Sequence, residues 1–168
     1  MMRQSQFSGC ISMVVVLGLG LGLAMTTPST TRSGTILYVD DDAPPGGDGQ
    51  SWETAFHYLQ DALAAAQPGS GVEEIRVGQG AYRPDQDEAG NVTPGDREAA
   101  FTLAGGVVHL GGYAGYGATD PDARDVELYE TILTGDLNGD DEPDFVNYED
   151  NSFHVTPVSY THLTLPTN

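Results

Sequence analysis

Tyr38-Val39-Asp40-Asp41-Asp42, Pro44-Pro45-Gly46-Gly47-Asp48-Gly49 and Ser51-Trp52-Glu53-Thr54-Ala55-Phe56 decide how this chain is read, together with Glu74-Ile75-Arg76-Val77-Gly78-Gln79-Gly80-Ala81-Tyr82 further on. Ile36 to Val39 is β-branched and aromatic and reads as a short strand. Asp40 to Gly49 is turn chemistry: carboxylates that accept backbone N–H groups, two prolines of fixed φ, and glycines free to take positive φ. Ser51 or Thr54 is placed to cap a helix. Phe56, Leu59, Leu63 and Ala66 then recur at helical spacing and make one apolar face. Pro68 and Gly69 stop the helix. The predicted order is strand, acidic turn, amphipathic helix near Thr54 to Ala66, strand, glycine turn.

Beyond Tyr82, short apolar runs recur between glycine-rich turns: Phe101 to Leu103, Val107 to Leu110, Thr131 to Leu133 and Phe153 to Val155. The steps from Leu110 to Leu133 and from Leu133 to Val155 are roughly 20-odd residues, within the range of stacked repeats. Each run predicts one rung, covered by the rungs above and below. The amphipathic helix is expected over the open end of that stack, where it would block an exposed strand edge. Pro84 to Glu98 is polar and predicts a surface loop.

Several motifs together resemble the start of right-handed parallel β-helix repeat proteins of the pectin-lyase-like kind. They are Asp48-Gly49-x-Ser51-Trp52-x-Thr54-Ala55-Phe56, Leu59-Gln60-Asp61-Ala62-Leu63 and Ile75-x-Val77-x-x-Gly80-x-Tyr82. Leu110-Gly111-Gly112-Tyr113-Ala114-Gly115, Thr131-Ile132-Leu133-x-Gly135-Asp136 and Asp150-Asn151-Ser152-x-His154-Val155 agree with them. The resemblance covers Ile36 to about Thr156. It implies a mainly β fold, with an N-terminal cap helix and the first rungs of a truncated β-helix over residues 36–157. It also implies a large secreted bacterial protein, often with a C-terminal anchor. That architecture hosts lyases, hydrolases and adhesins alike, so it does not settle function.

The two ends carry separate signals. Arg3 precedes an apolar run from Ile11 to Ala24, a secretory n-region and h-region that is short for a membrane span of ~20 apolar residues. Cleavage is expected after Ala24, which assigns 1–24 to a signal peptide and 25–35 to a disordered, Thr- and Ser-rich lead-in. The expected address is secreted or cell surface, with no stable membrane span after signal removal. Cys10 would leave with the signal, so neither a disulfide nor thiolate chemistry is expected of the mature chain. Val158-Ser159-Tyr160-Thr161-His162-Leu163-Thr164-Leu165-Pro166-Thr167 resembles translated sequencing-adapter DNA. Residues 158–168 are therefore expected to be a non-native tail, and the natural sequence to continue differently after about Pro157.

The chain has Lys+Arg 6 against Asp+Glu 25, no lysine at all, and a formal net charge of −19. Such a surface repels nucleic acid and anionic lipid. It suits hard cations, calcium above all, although the same composition also serves simply as a solvated acidic surface. The candidate metal ligands are Asp136, Asn138, Asp140 and Asp144. Asp136, Asn138 and Asp140 repeat the alternate spacing at the start of a calcium loop. The match then fails, because Gly139 sits at the fourth position instead of the sixth and Asn147 replaces the bidentate glutamate. Asp40, Asp41, Asp42 and Asp48 are a second acidic group, with ordinary turn formation as the competing reading.

No catalytic residue is assigned. Carboxylate pairs for glycoside hydrolysis arise by accident in so acidic a chain. Arg76, Arg83, Arg97 and Arg124 show no lyase-like cluster. His57, His109 and His154 read as packing or surface residues. Tyr113 and Tyr116 either stack on a sugar or cover the flank of a rung. Three functions remain: a non-catalytic piece of a large secreted or cell-surface protein that meets polysaccharide or other surface components, the cap of a polysaccharide lyase or hydrolase whose active site lies elsewhere, and a small calcium-binding module.

Overall fold

The computed structural model of the protein describes residues 34–157. The expected signal peptide 1–24, nearly all of the lead-in and the tail 158–168 lie outside the described residues. Five strands and one α-helix follow in order: β1 (Thr35–Val39), α1 (Leu59–Ala65), β2 (Val72–Gly78), β3 (Gly80–Tyr82), β4 (Val108–Tyr113) and β5 (Thr131–Leu133). They form two small parallel sheets, β1-β2-β4 and β3-β5. None of the described helices is long and apolar enough to cross a membrane.

Strand alternation builds the core. Leu37 pairs with Ile75 and Val39 with Val77, and all four are buried, because residues two apart share one face of a strand. Leu59, Ala62, Leu63 and Ala66 of the helical segment join this cluster, with Tyr82 and Phe101. Tyr38 and Arg76, paired on the opposite face, meet as a cation over a ring, with Arg76 Cζ 5.8 Å from the Tyr38 centroid.

The helix begins later than predicted because its expected first turn has another task. Tyr38 N–H donates to Gly49 O (2.9 Å), Phe56 N–H to Tyr38 O (2.9 Å) and Asp40 N–H to Phe56 O (2.9 Å). The segment from Gly49 to Phe56 thus pairs with the outer edge of β1, and it covers that edge where the helix was expected to. Ser51 and Thr54 close this turn through Asp48: Thr54 Oγ1 donates to Asp48 Oδ1 at 2.7 Å and Thr54 N–H to Ser51 Oγ at 3.3 Å. The N-cap position falls to Tyr58, in extended conformation with no side-chain cap. The helix lies on β1 and β2 and not across an open end.

The mainly β, truncated β-helix expected from the motifs is corrected to a small mixed α/β arrangement. The strands pair in parallel, but no coil closes and no solenoid forms among the described residues. The apolar repeat does not stack at its own spacing: β4 pairs with β2, and β5 with β3. Phe101 to Leu103 and Phe153 to Val155 form no strands. Phe101 is instead buried as a plug, tied by Phe101 N–H to Val155 O (2.9 Å), and Phe153 N–H reaches Arg97 O (2.8 Å). After β5 the chain makes an aspartate-centred turn and two single 3-10 turns, Pro143–Phe145 and Tyr148–Asp150. The Phe101 to Leu103 and Phe153 to Val155 runs are held by isolated long-range backbone bonds and not by a strand ladder, and that removes the rungs a coil would need.

Candidate functional site

The Asp136 loop leaves β5 as a turn organised by one carboxylate. Asp136 Oδ1 accepts N–H groups from Gly139 (2.6 Å) and Asp140 (3.2 Å), and Oδ2 accepts that of Asp141 (3.1 Å). Arg83 Nε donates to the Asp136 carbonyl at 2.9 Å. Gly139 has φ +73, a backbone conformation that favours glycine, and a Cβ there would displace the end of the Arg83 side chain.

Carboxylate oxygens of Asp136, Asp140 and Asp150 all lie within 4.8 Å of one another. Of the four expected ligands, the loop therefore brings Asp136 and Asp140 together. Asp144 is outside this group, on the following turn with φ 65. Asn138 takes part through its backbone, whose N–H donates to Asp150 Oδ2 at 3.1 Å. Asp150 is the member that loop spacing missed. Its Oδ1 is buried without a hydrogen-bond partner, as are Asn151 Oδ1 and Ser152 Oγ beside it.

The charges are unevenly compensated. Desolvation acts to raise the Asp136 pKa, but the N–H groups of Asp141, Gly139 and Asp140, with Arg83, outweigh it and hold the group below the usual carboxylate range. Asp140 is pushed up, by desolvation and then by the carboxylates of Asp150, Asp136 and Asp141. A divalent cation would relieve that repulsion. The donors are hard oxygens, which fit calcium, and an ionised carboxylate keeps lone pairs beyond those its N–H donors use.

The second acidic group is a structural staple. Asp40 is 2% exposed. Its Oδ1 accepts Asp42 N–H (2.9 Å) and its Oδ2 accepts Tyr116 N–H (2.8 Å), which pins the loop after β4 to the end of β1. The carboxylate fills the space where Gly78 and Gly115 lack a Cβ. Asp41 Oδ2 accepts Ala81 N–H (3.1 Å) against Gly80 in the same way. Burial is the leading cause that raises both acids. Asp40, Asp41 and Asp42 are close enough to share an ion, but Asp40 and Asp41 already accept backbone N–H groups. A cleft of about 500 Å³ beside them is lined by Asp41, Asp42, Glu127 and Glu130.

The four described arginines are each tied to structure. Arg76 bonds Glu74 (2.6 Å) and Asp122 (3.0 Å) and lies over Tyr113. Arg97 donates to Asn151 O (2.7 Å) and covers the Phe153 ring. Arg124 donates to Gly111 O (2.8 Å), and Arg83 is on the Asp136 loop. His57 Nδ1 lies 2.7 Å from Ala43 O, His109 Nε2 lies 3.4 Å from Ala104 O, and His154 is exposed. Tyr113 is buried against Trp52, whereas Tyr116 is partly exposed. Comparison with family models, with curated proteins and with solved structures returns no match.

Proposed function

We propose that this chain is a non-catalytic, exported module of a larger secreted or cell-surface protein, serving adhesion or glycan contact, in which the 136–150 loop takes calcium. The observation that carries the calcium reading is the convergence of Asp136, Asp140 and Asp150 within 4.8 Å, with Asp150 Oδ1 buried and unpartnered. The ion would hold the two ends of the loop together and offset the carboxylate repulsion that, after desolvation, raises Asp140. It would act on stability, because a ligand bound only by the folded state shifts the unfolding equilibrium. The apolar run before Ala24 supports export.

The test is a thermal melt of the chain with and without millimolar calcium, with magnesium as the control cation. Calcium should raise Tm, and Asp150→Asn should abolish the rise while Asp144→Asn leaves it intact. No rise at millimolar calcium sinks the ion reading and leaves an acidic turn held by Asp136. Export is checked separately by N-terminal sequencing of secreted material, which should begin near Met25.

A further inference from the structure

The segment between Asp141 and Tyr148 forms a knuckle that presents an aromatic residue to solvent. Glu142 N–H donates to Val146 O at 3.1 Å and closes the knuckle. Asn147 Nδ2 ties its base to Asp140 O at 2.8 Å, and Asn151 Nδ2 reaches Asp141 Oδ2 at 2.9 Å. Asp144, Phe145 and Asn147 all have positive φ, 65, 66 and 67. Asp and Asn adopt that region readily, but Phe does so at a cost. Phe145 has moreover taken this conformation to face outward: it is 82% exposed, beside Val146 at 45% and Tyr148 at 41%. Its ring meets Tyr148 edge to face, with centroids 5.4 Å apart.

The charges within the loop that carries this apolar tip are of one sign, and Arg83 and Arg97, which reach its base, are already engaged with the Asp136 and Asn151 carbonyls. Residues 136–150 contain Asp136, Asp140, Asp141, Glu142, Asp144, Glu149 and Asp150, and no Lys, Arg or His. We infer that the Phe145–Tyr148 knuckle is a docking surface for a basic polypeptide segment carrying an apolar residue between Lys or Arg side chains. The apolar residue would cover Phe145, Val146 and Tyr148, and the flanking cations would meet the carboxylates and the ring faces. A knuckle already pinned at its base loses little freedom on binding. Charge complementarity selects this occupant, since an acidic or phosphorylated segment would be repelled. The docking surface does not depend on the calcium reading.

The test measures binding of two labelled synthetic peptides of equal length, one alternating Lys and Leu and one all Lys. The full chain is used at physiological salt with chelator present, so calcium plays no part. The Lys-Leu peptide should bind more tightly. Phe145→Asn, which keeps the left-handed backbone, should weaken it about 5-fold or more, as expected for an aromatic anchor. Phe145→Tyr should restore binding, and Leu128→Ser, at another exposed apolar residue, should have no effect. Equal binding of the two peptides, or equal effects of Phe145→Asn and Leu128→Ser, would overturn the proposal in favour of unspecific attraction to an acidic protein. Loss in Phe145→Asn of binding to a neutral oligosaccharide, with peptide binding intact, would overturn it in favour of a glycan platform.

Discussion

Gly115→Ala tests the buried Asp40 staple, and Gly117→Ala supplies its control. Both glycines have φ +75, but they differ in surroundings. A Cβ at Gly117 meets nothing within 4 Å, while one at Gly115 falls on Asp40 Oδ2 and lies 3.3 Å from Gly78 Cα. Each variant carries the left-handed backbone cost of ~1–2 kcal/mol. At Gly115 the carboxylate must also move, which breaks the 2.8 Å bond from Tyr116 N–H. A buried polar group left unsatisfied costs ~1–3 kcal/mol, more when it is charged. Gly117→Ala should therefore lose about 1–2 kcal/mol, and Gly115→Ala about 2–5 kcal/mol. That is a large part of the ~5–15 kcal/mol of an ordinary domain. Urea unfolding with a common m-value reads the difference. The double variant Asp40→Ala/Gly115→Ala should fall short of the sum of its parts, since removal of the carboxylate vacates the space. Equal losses for the two glycine variants would refute the claim that Asp40 fills the gap.

Two further predictions concern the same face. The Asp40 pKa is raised, first by burial, so the folded state binds the proton more tightly than the unfolded chain. Its contribution therefore grows as pH falls through the folded pKa toward the unfolded one, and is smallest at neutral pH. Asp40→Asn carries no charge at any pH, so Tm of the natural chain minus that of Asp40→Asn should rise on acidification from pH 7 into the carboxylate range; a difference that falls would contradict the assigned direction. Asp122 Oδ1 accepts from both Trp52 Nε1 (3.1 Å) and Arg76 (3.0 Å), but its side chain is 58% exposed, so Asp122→Ala should cost only ~1 kcal/mol after solvent screening. Trp52 is the single tryptophan, and its emission should change in Asp122→Ala and less in Asp122→Asn, which keeps an acceptor.

The parts of the fold that were legible are those with one dominant period. Leu37, Val39, Ile75 and Val77 alternate and are buried as strands demand, and Leu59, Leu63 and Ala66 follow helical spacing onto the core. What failed was the inference from short apolar runs to stacked rungs. Phe101 and Val155 do belong to the interior or its border, so their hydrophobicity was read correctly. Their backbone state was not, because a run of three residues carries no period. The helix start failed for a different reason. Ser51 and Thr54 are good caps, yet Phe56 is worth more to the fold as the partner of β1 than as the first turn of α1, and that competition is tertiary.

The candidate site was half legible, and the reason lies in what carboxylates do in this chain. Asp136, Asn138 and Asp140 attract attention because alternate oxygens suit a cation. Asp-x-x-Gly is also the pattern of a turn in which one carboxylate collects successive N–H groups, and Asp136 does that. Asp87 and Asp125 do the same in other turns, and Asp40, Asp85 and Asp96 each accept at least one backbone N–H. Most acids flagged by spacing thus have a backbone task that needs no ion. What separates the 136–150 loop is not its spacing but its excess. Asp140 adds charge where Asp136 already satisfies the turn, and Asp150, which also accepts the Asn138 N–H, arrives from a 3-10 turn ten residues after Asp140. A pair brought together by that closure cannot be seen in a linear pattern. The surplus is also what makes the calcium reading testable: a turn that only needed its N–H groups satisfied would gain stability from Asp150→Asn by losing repulsion, whereas a calcium loop would lose the ion's stabilisation.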